Sequence, residues 1–173
     1  TLNGGMSCPN RDGKIGTRGC IFCSAGGSGD FAADAALTIT EQIDSQIAVL
    51  SAKRPIHKYI AYFQAYTNTY AELEGLKRKY EEALQVDGVV GLVIGTRPDC
   101  MPEELLQYLE ELNRHTFLMV EYGIESASDE TLRRINRGHT YADTVEAVQR
   151  TAACGILTGG HVILGLPGET HDT

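Results

Sequence analysis

Three apolar runs begin at Tyr59, Val89 and Phe117, about thirty residues apart, which is the length of one strand–helix unit. The runs Tyr59-Ile60-Ala61-Tyr62-Phe63, Val89-Val90-Gly91-Leu92-Val93-Ile94 and Phe117-Leu118-Met119-Val120 are rich in β-branched and aromatic residues. They lack polar alternation, as expected of strands covered on both faces. Parallel pairing needs a crossover between successive strands, and the intervals carry helical patterns. Leu73, Leu76, Tyr80 and Leu84 mark one such face, and Leu105, Leu109 and Leu112 mark another, with Pro102, Glu103 and Glu104 suited to its first turn.

Ahead of the first run, Thr38 stands three residues before Glu41, a capping-box pattern, and Ile39, Ile43, Ile47 and Leu50 follow at helical spacing. The interval after the third run holds two helices, one with Leu132 and Ile135 and one with Val145 and Val148, the second capped by Gly155. A last strand is predicted at His161-Val162-Ile163-Leu164, and a short first one at Leu2 to Gly5. The fold class is therefore α/β, a partial parallel βα barrel with five strands, against a doubly wound open sheet as competitor.

With 173 residues, 42% of them hydrophobic, the chain suits a single domain with a real core. The net charge of −8 makes it a poor electrostatic match for a phosphate backbone, so any RNA contact would need a basic surface elsewhere. No apolar run reaches the ~20 residues of a membrane span, and no signal peptide is visible. An odd number of cysteines without framework spacing points to a reducing compartment, hence the cytoplasm. The chain opens on Thr1 without an initiator Met and reads as a fragment.

Three of the five cysteines fall in one Gly-rich loop, Cys8, Cys20 and Cys23, spaced C-x11-C-x2-C. Three thiols cannot all pair, and thiolates are soft ligands for Zn, Cu(I) and iron–sulfur clusters. On spacing alone, zinc completed by a distant residue such as His57 or His161, an iron–sulfur cluster with one open iron, and a chance group of structural thiols all stay open. Cys100 and Cys154 read as small buried hydrophobes. The five histidines, His57, His115, His139, His161 and His171, show no metal spacing, and His161, opening a buried strand, reads as a hydrogen-bonded core residue. In parallel βα folds ligands gather at the carboxyl ends of strands. Those positions hold Gln64 to Tyr70, Gly95-Thr96-Arg97-Pro98-Asp99, Glu121 to Ser126, and Gly165-Leu166-Pro167-Gly168-Glu169. Tyr62, Tyr66 and Tyr70 are candidates for a substrate mouth, and Glu121 joins the rim if its strand parity is right.

A cysteine loop after the first strand, a strand ending Gly123-Ile124-Glu125-Ser126, and Ile163 to Glu169 together resemble the radical S-adenosylmethionine (SAM) superfamily. The wide cysteine spacing, Gly95 to Cys100, and Arg137-Gly138-His139-Thr140 resemble, more narrowly, the Elongator-related bacterial members of the YhcC/YtqA type. The resemblance implies that Cys8, Cys20 and Cys23 hold a [4Fe-4S] cluster that reductively cleaves SAM to a 5′-deoxyadenosyl radical, which abstracts hydrogen from substrate. It places Phe22, Ile163, Gly165 and Leu166 beside the adenine, Gln64 at the SAM amino group, Glu125 on the ribose hydroxyls and Arg137 on the SAM carboxylate. Gly95 stands where relatives often carry Glu, which leaves Thr96 or Arg97 as replacements. It further implies a radical SAM core domain over residues 1–173, truncated at both ends and lacking a sixth unit. A flavodoxin or ferredoxin reductant is expected, with substrate in tRNA wobble-uridine modification, the tRNA being gripped through regions outside this chain. A zinc-stabilised binding module and an iron–sulfur redox carrier without SAM chemistry are the alternatives.

Overall fold

The computed structural model describes residues 1–170. Its elements run α1 (Ile39–Ser51), β1 (Tyr59–Phe63), α2 (Leu73–Gln85), β2 (Val89–Thr96), a 3-10 turn (Pro98–Cys100), α3 (Glu103–Asn113), β3 (Phe117–Glu125), α4 (Asp129–Arg134), α5 (Tyr141–Ala153) and β4 (Leu157–Val162). All strand pairs are parallel, and the sheet order β1-β2-β3-β4 repeats the chain order. A doubly wound sheet reverses its strand order at a switch point. This one never reverses, so it is wound in a single sense, like part of a barrel.

The strands have two different faces, which corrects the expectation of cover on both sides. Alternate residues (Ala61 and Phe63, Leu92 and Ile94, Leu118, Val120 and Tyr122) are buried beneath Leu76, Tyr80, Leu105, Leu109 and Ala147 of the outer helices. Burying each of the larger side chains contributes about 1.5–3 kcal/mol. The opposite, concave face is only half-buried, because four strands curve without closing. Phe63 and Tyr80 meet edge to face at 5.3 Å, and the Tyr80 hydroxyl is satisfied by the Asn68 carbonyl.

Local chemistry sets the helix boundaries. Thr38 and Glu41 form the expected capping box on α1, and Thr140 with Asp143 forms a second on α5. Gly155, at φ +69°, turns the chain out of α5 as expected.

Two predicted strands are corrected. Leu2 to Gly5 contributes only one parallel bridge, Leu2 to Phe63, before Gly5 leaves extended geometry at φ +69°. Among the described residues the sheet therefore has four strands, with the amino terminus laid beside β1. The last strand lies earlier than His161–Leu164. It spans Leu157–Val162, where Gly159 and Gly160 have weak strand preference but complete the ladder to β3. It is an edge strand and largely exposed, with Leu164 beyond it 91% exposed.

Candidate functional site

A cavity of about 260 Å³ opens at the carboxyl ends of the strands. Its wall takes Cys8, Cys20, Phe22 and Cys23 from the amino-terminal loop, Gln64 after β1, Glu125 at the end of β3, Arg137 after α4 and Ile163 after β4. Eight of the ten residues expected at the site thus share one wall. Gly165 and Leu166 do not. Leu166 packs with Leu132 and Ile135 in a small separate cluster that Ile163 also touches. Gly165 turns at φ +77° without lining the cavity.

The cysteine loop is held from both sides. The Cys8 carbonyl accepts from the backbone N–H groups of Arg11 and Asp12, Gly19 N–H donates to Asn10, and Ile21 N–H donates to Ile135 at 3.0 Å. Gly13 and Gly19, at φ +97° and +72°, make turns that side-chain-bearing residues resist. Arg11 donates to the carbonyls of Cys23 and Ser24 while its guanidinium lies over the Tyr66 ring at 5.8 Å. All five cysteines are free thiols. Cys20 is buried, and its sulfur receives N–H groups from Asn10 at 3.5 Å and Arg137 at 3.7 Å.

Among the described residues no three His, Cys, Asp or Glu side chains are gathered to hold one metal ion. The three loop thiols nonetheless all line the cavity wall, and thiolates are soft ligands suited to an iron–sulfur cluster.

Arg97 is 2% exposed and engaged, with two bonds to Asp99 at 2.9 Å and one to the Arg137 carbonyl at 2.8 Å. Burial pushes its pKa down, and the Asp99 carboxylate more than reverses this. The Thr96 hydroxyl is paired with Thr69 at 2.5 Å. Both residues expected to replace a missing carboxylate are therefore engaged, and a guanidinium repels an ammonium in any case. Arg137 is engaged too. It donates to Gly123 O at 2.6 Å and to His139 Nε2 at 3.0 Å, and approaches Glu125 at 3.5 Å. Burial, then Arg137 itself, lowers the His139 pKa, so His139 accepts at Nε2 and donates from Nδ1 to Thr140 O.

Glu125 sits where the β3–β4 register shifts, with left-handed backbone at φ +67°. A non-glycine residue held there costs about 1–3 kcal/mol. Burial raises its carboxyl above the usual range, and attraction to Arg137 only partly offsets this. A side chain at Gly123 would collide with both groups, at 2.5 Å from Arg137 Nη2 and 2.7 Å from Glu125 Oε1. That glycine makes room for the pair.

Some wall residues escaped the sequence reading. Arg11 carried no motif, nor did Asn10, which stands behind the wall on the Cys20 sulfur. Glu121 has the parity that puts it on the concave face, since Leu118, Val120 and Tyr122 take the buried one. His161 is not a core histidine; its side chain is 58% exposed on the edge strand and bonds Glu121 at 2.8 Å. The other histidines are unclustered, and His171 lies outside the described residues. Burial raises the thiols of Cys100, to about 12, and of Cys154, and neither lines the cavity.

A parallel sheet wound in one sense, with three thiols at its carboxyl rim, defines the class to which the sequence also belongs. The family model of the radical SAM superfamily matches residues 12–173, and the chain is a member of that superfamily. Within it the chain is similar to Elongator-related members. It is 46% identical over 171 residues to the uncharacterized protein YtqA of Bacillus subtilis (strain 168), covering 99% of this chain and 53% of that protein. Over 81 residues it is 33% identical to the tRNA uridine(34) acetyltransferase of Methanocaldococcus infernus, covering 47% of this chain and 15% of that protein. The solved structure of the archaeal Methanocaldococcus infernus Elp3 with its N-terminus deleted superposes with TM-score 0.60 at 25% identity, covering 76% of this chain and 34% of that one. The chain spans about half the length of the curated relatives it matches over nearly its whole length. Among the described residues, no helix is long and apolar enough to cross a membrane.

Proposed function

We propose that this chain is the core of a radical SAM enzyme that acts on a uridine in tRNA. The observation that carries the reading is the convergence of three free thiols, a buried carboxylate and a buried guanidinium on one cavity at the carboxyl ends of a parallel sheet. Cys8, Cys20 and Cys23 would hold a [4Fe-4S] cluster. When bound, that cluster supplies the electron for reductive cleavage of SAM, whose 5′-deoxyadenosyl fragment takes a hydrogen atom from substrate.

The chain's own residues shape the pocket. Asn10 and Arg137 donate to the Cys20 sulfur and hold it in place at the cavity wall. Glu125 offers an acceptor for ribose hydroxyls, Gln64 offers polar atoms at the end of β1, and Phe22 and Ile163 supply apolar surface for a purine. Gly165 and Leu166 act one step back, holding Ile163 through the packing of Leu166 on Leu132 and Ile135. Arg137 joins the cysteine loop to Glu125, so it supports both halves of the site.

The tRNA assignment rests on the similarity to the tRNA uridine(34) acetyltransferase. With a net charge of −8, this chain would depend on other regions of the protein to grip RNA. A flavodoxin or ferredoxin in the cytoplasm would supply the electron. The full-length protein, reconstituted anaerobically with iron and sulfide and given SAM and dithionite, is expected to release 5′-deoxyadenosine, and C20A is not. Equal release by both would refute the assignment of the thiols. Unchanged tRNA nucleosides in cells lacking the gene would remove the tRNA substrate.

A further inference from the structure

The floor of the cavity carries a second constellation. Tyr62 of β1, Glu121 of β3 and His161 of β4 converge on the concave face, with Glu121 at the centre. Its register partners on both sides are glycines, Gly95 on β2 and Gly159 on β4. A side chain at Gly159 would press on Glu121 Cγ at 3.1 Å, and one at Gly95 would lie 3.7 Å from the Tyr62 hydroxyl. A side chain at Gly159 would thus crowd the carboxylate, which Tyr62 and His161 flank on the cavity wall.

The hydrogen bonding has one consistent polarity. Burial pushes the Glu121 carboxyl up, but bonds from Tyr62 and His161, with attraction to the imidazole, outweigh burial and leave it below the usual range. Burial and the neighbouring carboxylate push the Tyr62 phenol up, so it stays protonated and donates. His161 bonds Glu121 through Nε2 at 2.8 Å, and Nδ1 has no protein partner among the described residues. A carboxylate that fixes one imidazole nitrogen as N–H leaves the other as a lone-pair acceptor, and stabilises the imidazolium once a proton arrives.

We propose that Tyr62, Glu121 and His161 form a proton-accepting subsite for the substrate, specific for a group bearing an N–H or O–H. The inference rests on the radical SAM reading of the same cavity. In the step itself the substrate N–H or O–H bond breaks, the proton forms a bond to His161 Nδ1, and the electron pair stays on the substrate heteroatom. The imidazolium is held by the Glu121 carboxylate, with Tyr62 on its other flank. His161 is the contacting residue; Glu121 and Tyr62 position it.

The test uses the reconstituted full-length enzyme with SAM, dithionite and tRNA from cells lacking the gene, scored by the modified nucleoside formed. H161A is expected to lower product at least tenfold, and imidazole added to the buffer is expected to restore it, since the half-exposed site admits the free base. E121Q is expected to lower product without imidazole rescue, because the ring is present but no longer oriented. Product from H161A at the wild-type level would overturn the proposal. So would a loss that imidazole leaves untouched and that accompanies loss of the SAM-induced change in the cluster's paramagnetic spectrum, because the histidine would then belong to the cofactor site. Absence of 5′-deoxyadenosine from the wild-type enzyme would instead strike the reading of the cavity as a radical SAM site.

Discussion

Replacing Arg137 by Met tests the linkage between the cysteine loop and the sheet. The side chain is almost wholly buried and makes bonds to Gly123 O, His139 Nε2 and the Cys20 sulfur, with Glu125 at 3.5 Å. Met approximates its length and apolar stem but offers no donor. Removing one member of a buried ion pair costs about 3–5 kcal/mol, because the other charge is left without a partner. Glu125 is already raised by burial, so it relieves part of that cost by taking a proton. The lower end, about 3 kcal/mol, is therefore expected. In urea unfolding of the full-length apoprotein followed by circular dichroism, the midpoint should fall without a change in slope. Adding Glu125→Gln to the Met variant should recover about 1–2 kcal/mol, since neighbours in one network couple by about 0.5–3 kcal/mol. A cost under about 1 kcal/mol, as for a surface cation, would refute the account of a buried connector.

Three further outcomes follow from the same geometry. Glu125→Gln alone should flatten the acid-to-neutral pH dependence of the apoprotein's stability. The native carboxyl titrates above its unfolded value, so its contribution is fully present below the unfolded pKa and is lost as pH rises through the folded one; a variant with wild-type pH dependence would contradict this. Gly123→Ala should displace Arg137 and Glu125 together and weaken SAM binding at least tenfold by calorimetry, whereas Gly75→Ala on α2, where the added methyl meets only Arg78 Nη2 at 3.8 Å, should leave SAM binding alone. Thr38→Ala should cost about 1 kcal/mol in urea unfolding by removing the capping box, and no change there would mean that the first turn of α1 is held by packing alone.

How much was legible in the sequence depended on the kind of signal. The runs at Tyr59, Val89 and Phe117 announced their strands because parallel strands with one deeply buried face concentrate apolar residues. The Leu157–Val162 strand was misplaced because Gly159 and Gly160 read locally as loop; they are strand only through pairing with β3, and their lack of side chains serves the cavity. Glu125 and Arg137 were found through motif resemblance, but their mutual contact across Gly123 needed three dimensions. The commitment of Arg97 to Asp99 and the Arg137 carbonyl is a tertiary fact that no local pattern announced. Glu121 depended on parity, which a one-residue slip reverses, and β3 ran five residues beyond the apolar run that announced it.

The central claim is that Cys8, Cys20 and Cys23 hold a cluster with one iron left for SAM. The most direct measurement is paramagnetic resonance of the reduced, anaerobically reconstituted full-length protein, with and without SAM. The account predicts a [4Fe-4S] signal that changes when SAM is added and that is lost in C8A, C20A and C23A alike. Stoichiometric zinc without a cluster, or a cluster signal indifferent to SAM, would contradict it.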